Sequence, residues 1–307
     1  MPTNTTTPTH TLATGTTYAN KYPSLGSVAG NTQYPIGKML GLLVGESSSG
    51  KSFIMQSNPN AYIINVDETA AVFPNAPAVM FPVAGPDGRP VDENDNPIVM
   101  TWDHVEQKKK LLCELAVENK PRPDTVVLDT ISDSIRLLRP YVAKMYNREK
   151  FTDVDGRLGW ERLFETLIDF AVTLRRHGYG VFFICHLARK HIPIAENQHV
   201  EEFRIMLSDG LYARLFPMFD VVIPVMAEWH TEEKMIETTH TVGGKTIKRK
   251  VPQSIKVRRH IAAFDNEKLE GIIKTRTFSR LTTVKLPEDG PWTALESAFE
   301  AANTPRQ

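Results

Sequence analysis

From residue 39 onward, short apolar runs alternate with longer stretches whose apolar residues recur at helical spacing. The runs are 39–44, 62–66, 125–128, 180–185 and 220–225, each too short for a buried helix and rich in Val, Ile or Phe. Runs of this kind predict strands buried on both faces of a parallel sheet. Between them, 104–118 and 160–176 carry apolar residues on one helical face, for example Leu163, Leu167, Phe170, Ala171 and Leu174. The alternation predicts an α/β fold, a mostly parallel sheet covered by crossover helices.

The rhythm changes twice. Residues 84–97 are dense in Pro, Gly, Asp and Asn and read as a solvent-facing insertion or hairpin. In 228–277, two strand-like stretches, 229–237 and 240–257, flank Gly243-Gly244, a strong hairpin signal. A further strand is expected at 281–286 and a closing helix at 292–302. The first 20 residues hold no charged side chain and nine of the first 17 are Thr. So little apolar surface cannot offset ordering entropy, which predicts a flexible Thr-rich tail over 1–35 and one folded domain over 36–303. No internal repeat at solenoid spacing is visible.

Composition narrows the function. In 307 residues, 36 Lys and Arg balance 36 Asp and Glu, so whole-molecule charge gives no case for nucleic acid and any basic surface must be local. The two cysteines, Cys113 and Cys185, lie in apolar segments with no metal-site spacing, as expected of a reducing compartment. With no apolar stretch of membrane-spanning length and no basic leader before an apolar one, a cytoplasmic protein is expected.

The chemistry is concentrated in Gly45-Glu46-Ser47-Ser48-Ser49-Gly50-Lys51-Ser52, which matches G-x-x-x-x-G-K-[ST] and follows an apolar run. Strand, loop and helix in that order are the context the motif requires. Glycines let backbone N–H groups converge on phosphate oxygens, Lys51 reaches the terminal phosphates of ATP, and the Ser52 hydroxyl ligates Mg2+. Asp129 ends an apolar strand about 75 residues later, where a carboxylate holds Mg2+ through water. Asp67 and Glu68 end the run 62–66; one of them would orient the attacking water if that strand lies beside the P-loop strand. His186 ends the run 180–185, the position of a γ-phosphate sensor, since ligands collect at the carboxyl ends of parallel strands. Cys185 and His186 are no nucleophilic pair, because neighbours on a strand point to opposite faces.

In this order these elements resemble the RecA-like P-loop NTPase core, and more narrowly the phage-encoded RecA-like ATPases of the single-strand annealing and recombination type. The matching pieces also include Trp102-Asp103 and Gly159-Trp160, each opening a helix, and together span roughly residues 37–287. The resemblance implies a RecA-like core with a C-terminal β-hairpin extension and DNA-stimulated ATP hydrolysis. It also implies a homo-oligomer with ATP at subunit interfaces, in a bacterial host cytoplasm. Lys274 and Arg276, a K-x-R pair, match the residues that reach a neighbour's γ-phosphate. RecA proteins carry Asp-x-Glu where this chain has Asn65-Val66-Asp67-Glu68, so the base is Asp67 in register or Glu68 by a shift of one.

Residues 245–260 hold Lys245, Lys248, Arg249, Lys250, Lys256, Arg258 and Arg259 and no acid. On a hairpin, Lys245, Lys248, Arg249, Lys250, Arg258 and Arg259 would track the phosphates of single-stranded DNA. The bland alternative is a charged edge that blocks aggregation. Partners implied by the resemblance are single-stranded DNA, further copies of the chain, and a single-strand binding protein or an exonuclease. Competing readings are a helicase loader or packaging motor, a kinase, and a nucleotide-gated scaffold. A motor would more often show Glu after Asp129, where this chain has Thr130, and a kinase would show an Arg-rich lid.

Overall fold

The computed structural model describes residues 10–11, 17–18, 35–67, 76–85, 89–92, 94–195, 198–242, 245–266, 269, 272–275 and 281–303. Two compact units result, Met1–Pro35 and Ile36–Gln307. In the first, which spans the residues expected as a flexible tail, His10–Thr11 pairs antiparallel with Thr17–Tyr18; apart from Pro35, its other residues lie outside the described set.

The second unit is built on a ten-stranded sheet. Its strands are β1 (Leu40–Gly45), β2 (Ala61–Asn65), β3 (Val79–Phe81), β4 (Thr125–Asp129), β5 (Gly180–Ala195), β6 (Gln198–Ile205), β7 (Val221–Val242), β8 (Lys245–Ala262), β9 (Lys274–Thr275) and β10 (Val284–Leu286). Helices are α1 (Lys51–Gln56), α2 (Trp102–Val117), α3 (Ile131–Met145), α4 (Gly156–Arg176), α5 (Asp209–Leu215) and α6 (Pro291–Asn303). Across the sheet the order is β10-β8-β7-β1-β5-β4-β2-β3, with β6 on β5 and β9 on β7. Pairings from β7 through β1, β5, β4 and β2 to β3 are all parallel. The expected α/β core with a mostly parallel sheet flanked by helices, and the C-terminal hairpin, are thus present.

Two-residue periodicity divides the core. Leu40, Leu42 and Val44 of β1, and Val181, Phe183 and Cys185 of β5, face the cluster formed with α2, α3 and α4. Leu43, Phe182 and Ile184 face the opposite layer, where Ile54 of α1 and Trp292, Leu295 and Phe299 of α6 close the core. Both faces of these strands are covered, which is why the runs read as continuously apolar. The long helix α4 starts where the Asp155 carboxylate accepts from the Arg157 and Leu158 amides, and buries Leu163, Leu167, Phe170 and Leu174.

Several expectations need correction. The expected helices did not include α3, which has Pro140 inside it, a residue that ordinarily ends a helix. Its Thr130 cap and its buried Leu138 and Val142 outweigh that break. The strand beginning at Gly180 runs on to Ala195 and folds back as β6, a hairpin the sequence reading missed. The run 220–225 is the root of β7, a 22-residue strand that leaves the parallel sheet and runs on as a ribbon with β8. Gly243 and Gly244, the expected hinge, lie outside the described residues. Within 84–97, Val83–Ala84 pairs with Pro90–Val91. Among the described residues no helix is long and apolar enough to cross a membrane.

Candidate nucleotide site

Parallel strands in register end together, and their carboxyl ends assemble the site. Gly45 is in register with His186, Asp129 with Ile184, and Asn65 with Asp129. The loop after β1 wraps over this edge before α1 begins at Lys51. Its turn uses the left-handed region twice, at Ser48 (φ 59°) and Gly50 (φ 100°). A Cβ on Gly45 would lie 2.3 Å from both the Ser49 hydroxyl and the Val225 carbonyl, so only glycine lets the loop close this tightly.

Lys51 curls back under its own loop. Its Nζ donates to the Gly45 and Glu46 carbonyls at 3.0 and 2.8 Å, and Ser49 Oγ lies at 3.5 Å. Burial lowers its pKa to about 8, against the attraction of the Asp129 carboxylate. The Ser52 hydroxyl donates to Asp129 Oδ2 at 2.6 Å, joining the P-loop helix to the end of β4. Asp129 is 2% exposed, and burial pushes its pKa up to about 6 while the Ser52 bond holds it down. Both ions sit in a dry place that favours their neutral forms, and both would be relieved by opposite charge arriving from outside.

A cavity of about 690 Å³ opens above this pair. Residues 47–53 form its floor; Asp67, Asp129, His186, Arg258, His260 and Glu288 form its walls. Asp67 arrives here although β2 is not beside the P-loop strand; β5 and β4 stand between them. The Asp129 carbonyl accepts from the Val66 and Asp67 amides at 2.7 and 3.2 Å, which carries the end of β2 over β4 and into the cavity. Glu68 lies outside the described residues. His186 is half-buried, and burial together with the Lys51 charge lowers its pKa below the usual imidazole value, so it stands neutral at pH 7. Cys185 is sealed in the core with its thiol pushed up to about 12 by burial, and does no chemistry here.

Some residues at this site are ones the sequence reading did not place. His260 Nδ1 lies 2.6 Å from the Ser49 carbonyl, so the root of the ribbon touches the P-loop directly. Arg189 of β5 grips the Glu46 carboxylate in a two-point bond, Nε to Oε1 at 3.1 Å and Nη2 to Oε2 at 3.2 Å. Glu288 reaches the cavity from the segment after β10. Alternation along 256–260 signals that Arg258 and His260 share a face; which face meets the P-loop is a tertiary fact.

Of the six residues expected on DNA, Lys250, Arg258 and Arg259 have described side chains, and these three do not share one patch. Arg258 lies in the cavity wall, with its guanidinium 5.9 Å from the centre of the exposed Trp229 ring. Arg259, on the opposite face of β8, pairs with Glu232. Lys250 is exposed and sits opposite Glu237 in the ladder. The side chains of Lys245, Lys248, Arg249 and Lys274, and all of Arg276, lie outside the described residues. The other ribbon strand brings Glu228, Glu232, Glu233 and Glu237, so the ribbon carries both signs of charge rather than a basic stripe.

The donor set suits a nucleoside triphosphate with Mg2+. A loop of converging amides, a lysine, a hydroxyl and one carboxylate are what Mg2+ uses when phosphates supply its other ligands. Among the described residues no cluster of three or more His, Cys, Asp or Glu side chains would cage a metal without them.

The sequence model of the family described as AAA domain matches residues 38–266, about three quarters of the chain. No curated protein matches the chain. Similar solved structures include the flagellar accessory protein FlaH from Methanocaldococcus jannaschii, 12% identical, with 83% of this chain and 91% of that one covered and a TM-score of 0.34. The RadB recombinase is 10% identical, with 83% and 90% covered and a TM-score of 0.33. The KaiC-like protein PH0186 from Pyrococcus horikoshii OT3 is 12% identical, with 73% and 86% covered and a TM-score of 0.34.

Proposed function

We propose that this chain, which belongs to the AAA domain family, binds ATP with Mg2+ at Gly45–Ser52, hydrolyses it, and couples the cycle to single-stranded DNA in annealing or recombination, in phage DNA metabolism. The observation that carries the first part is the bond between Ser52 Oγ and Asp129 Oδ2 beside the buried Lys51. A hydroxyl and a carboxylate held 2.6 Å apart at the end of a P-loop form one corner of a Mg2+ site. Bound Mg2+ would neutralise charge developing on the phosphates. Lys51 would leave its carbonyl partners for phosphate oxygens, gaining an anion in place of neutral acceptors. Asp67, or Glu68 beside it, orients the water, and neutral His186 donates to or accepts from the γ-phosphate side of the site.

The DNA reading rests on the resemblance and on Lys245, Lys248, Arg249 and Lys250 toward the far end of the ribbon. Arg258 and Arg259 drop out of it, since one faces the cavity and the other is ion-paired. Lys274 and Arg276 complete a neighbouring subunit's site in this reading, in a homo-oligomer; a single-strand binding protein or an exonuclease acts with it.

Steady-state ATP hydrolysis with and without single-stranded DNA, with Lys51→Ala as the blank, tests the proposal. A Lys51-dependent rate that DNA raises several-fold is the expected result. A Lys51-dependent rate indifferent to DNA removes the recombination reading and favours the scaffold or kinase; no Lys51-dependent rate removes hydrolysis.

A further inference from the structure

One buried polar side chain at the carboxyl edge of the sheet has no part in the site described above. Asn65 ends β2 and is 4% exposed, and among the described residues its Oδ1 is buried without a hydrogen-bond partner. The buried Asn58 shows the ordinary arrangement: its Oδ1 accepts from the Asn60 amide at 2.9 Å and its Nδ2 donates to the Thr125 hydroxyl at 3.4 Å. A buried acceptor left unpaired costs stability, so one that a folded protein keeps calls for a partner from outside the chain.

Register shows what Asn65 stands beside. It is paired with Asp129 across the parallel strands β2 and β4. Ile63 and Val127, two residues earlier on the same strands, face the layer of α1 and α6, while Ile64 and Leu128 face the other layer. Asn65 and Asp129 therefore point together to the α1 side, on strands about 4.8 Å apart. The amide thus lies next to the buried carboxylate that holds the Ser52 hydroxyl, one strand further from the P-loop. Aspartate here would bury a second charge beside Asp129, and leucine would fill a similar shape with no polar atom to satisfy; asparagine keeps an acceptor without a charge.

An ionised carboxylate offers that acceptor no donor. Mg2+ does, because it keeps several of its waters when it binds through one carboxylate and phosphates. Groups that hydrogen-bond around a metal's ligands govern its affinity as well as the ligands do. Resting on the nucleotide reading above, we infer that Asn65 is a positioning residue of the Mg2+ corner, its Oδ1 accepting a hydrogen bond from a water that Mg2+ brings to Asp129. The acceptor is unpaired in the empty protein and paired in the loaded one, so the amide favours the metal-bound state alone.

Mn2+ titrated into the full chain with ADP, read by electron paramagnetic resonance, tests this together with urea unfolding in EDTA. Asn65→Leu is expected to weaken Mn2+ on the order of tenfold or more, to bind ADP in EDTA as the parent does by calorimetry, and to be at least as stable as the parent without metal. Asn65→Asp, which keeps the acceptor, is expected to recover most of the Mn2+ affinity. An amide that only packs the strand end predicts the opposite split, with stability lost in EDTA and Mn2+ affinity kept. Asn65→Leu less stable than the parent in EDTA, or unfolded, would reveal a bond already made in the empty protein and overturn the inference. So would Mn2+ affinity equal to the parent's, an equal loss of ADP in EDTA, or Asn65→Asp as weak as Asn65→Leu. A parent that binds no ADP, with or without metal, removes the nucleotide reading itself; a parent that binds both while Asn65→Leu matches it removes the role of Asn65 alone.

Discussion

Asp129 is a carboxylate only 2% exposed, and Asp129→Asn measures what burying its charge costs. Burial moves its pKa from 3.8 to about 6, against the Ser52 hydroxyl and the Lys51 ammonium and with the help of the Asp67 carboxylate. In the unfolded chain the group ionises near its ordinary value, so folding takes up a proton between the two values. Stability contributed by this group is therefore greatest at low pH and falls as pH rises from 3.8 through about 6. Each pH unit in that window is worth ~1.4 kcal/mol, on the order of 3 kcal/mol once Asp129 is fully ionised. Asn keeps the shape and can still accept the Ser52 hydroxyl, without the charge. In EDTA and without nucleotide, urea unfolding should show the variant more stable than the parent by ~3 kcal/mol at about pH 8 and by roughly half of that at about pH 5. An equal difference at the two pH values, or a less stable variant at about pH 8, would refute the claim that desolvation of this carboxylate dominates its environment.

Two further outcomes test the scaffold. Leu167 of α4 is fully buried, and Leu167→Ala should cost about 2–5 kcal/mol in urea unfolding, the range for a leucine deleted from a core that closes only partly. Asp155→Ala removes the acceptor for the Arg157 and Leu158 amides at 3.1 and 3.0 Å, and should lower stability by about 1 kcal/mol by the same measurement.

Local signals carried much of this protein. The P-loop was legible because its chemistry lies in eight consecutive residues, and the strands of the parallel sheet because burial on both faces leaves an unbroken apolar run. Asp129 and His186 were legible for the same reason, each being the polar residue that stops such a run. Where two local rules conflict the reading failed: Pro140 hid α3, and the polar outer halves of β5 and β7 hid how far those strands extend. An exposed ribbon strand has no buried face, so alternation gives no sign of its length.

The sequence by itself determined the fold class, the phosphate loop and the carboxylate behind Ser52, because each depends on neighbours in the chain. Only the tertiary structure decided that β5 and β4 separate Asp67's strand from the P-loop, and that the Asp129 carbonyl nevertheless draws Asp67 into the cavity. It alone turned Arg258 and His260 toward Ser49 and Arg259 toward Glu232, although the two arginines are adjacent. A strand's alternation assigns neighbouring side chains to opposite faces but leaves open which face is inside; that is set by what packs against it, here a loop more than 200 residues away.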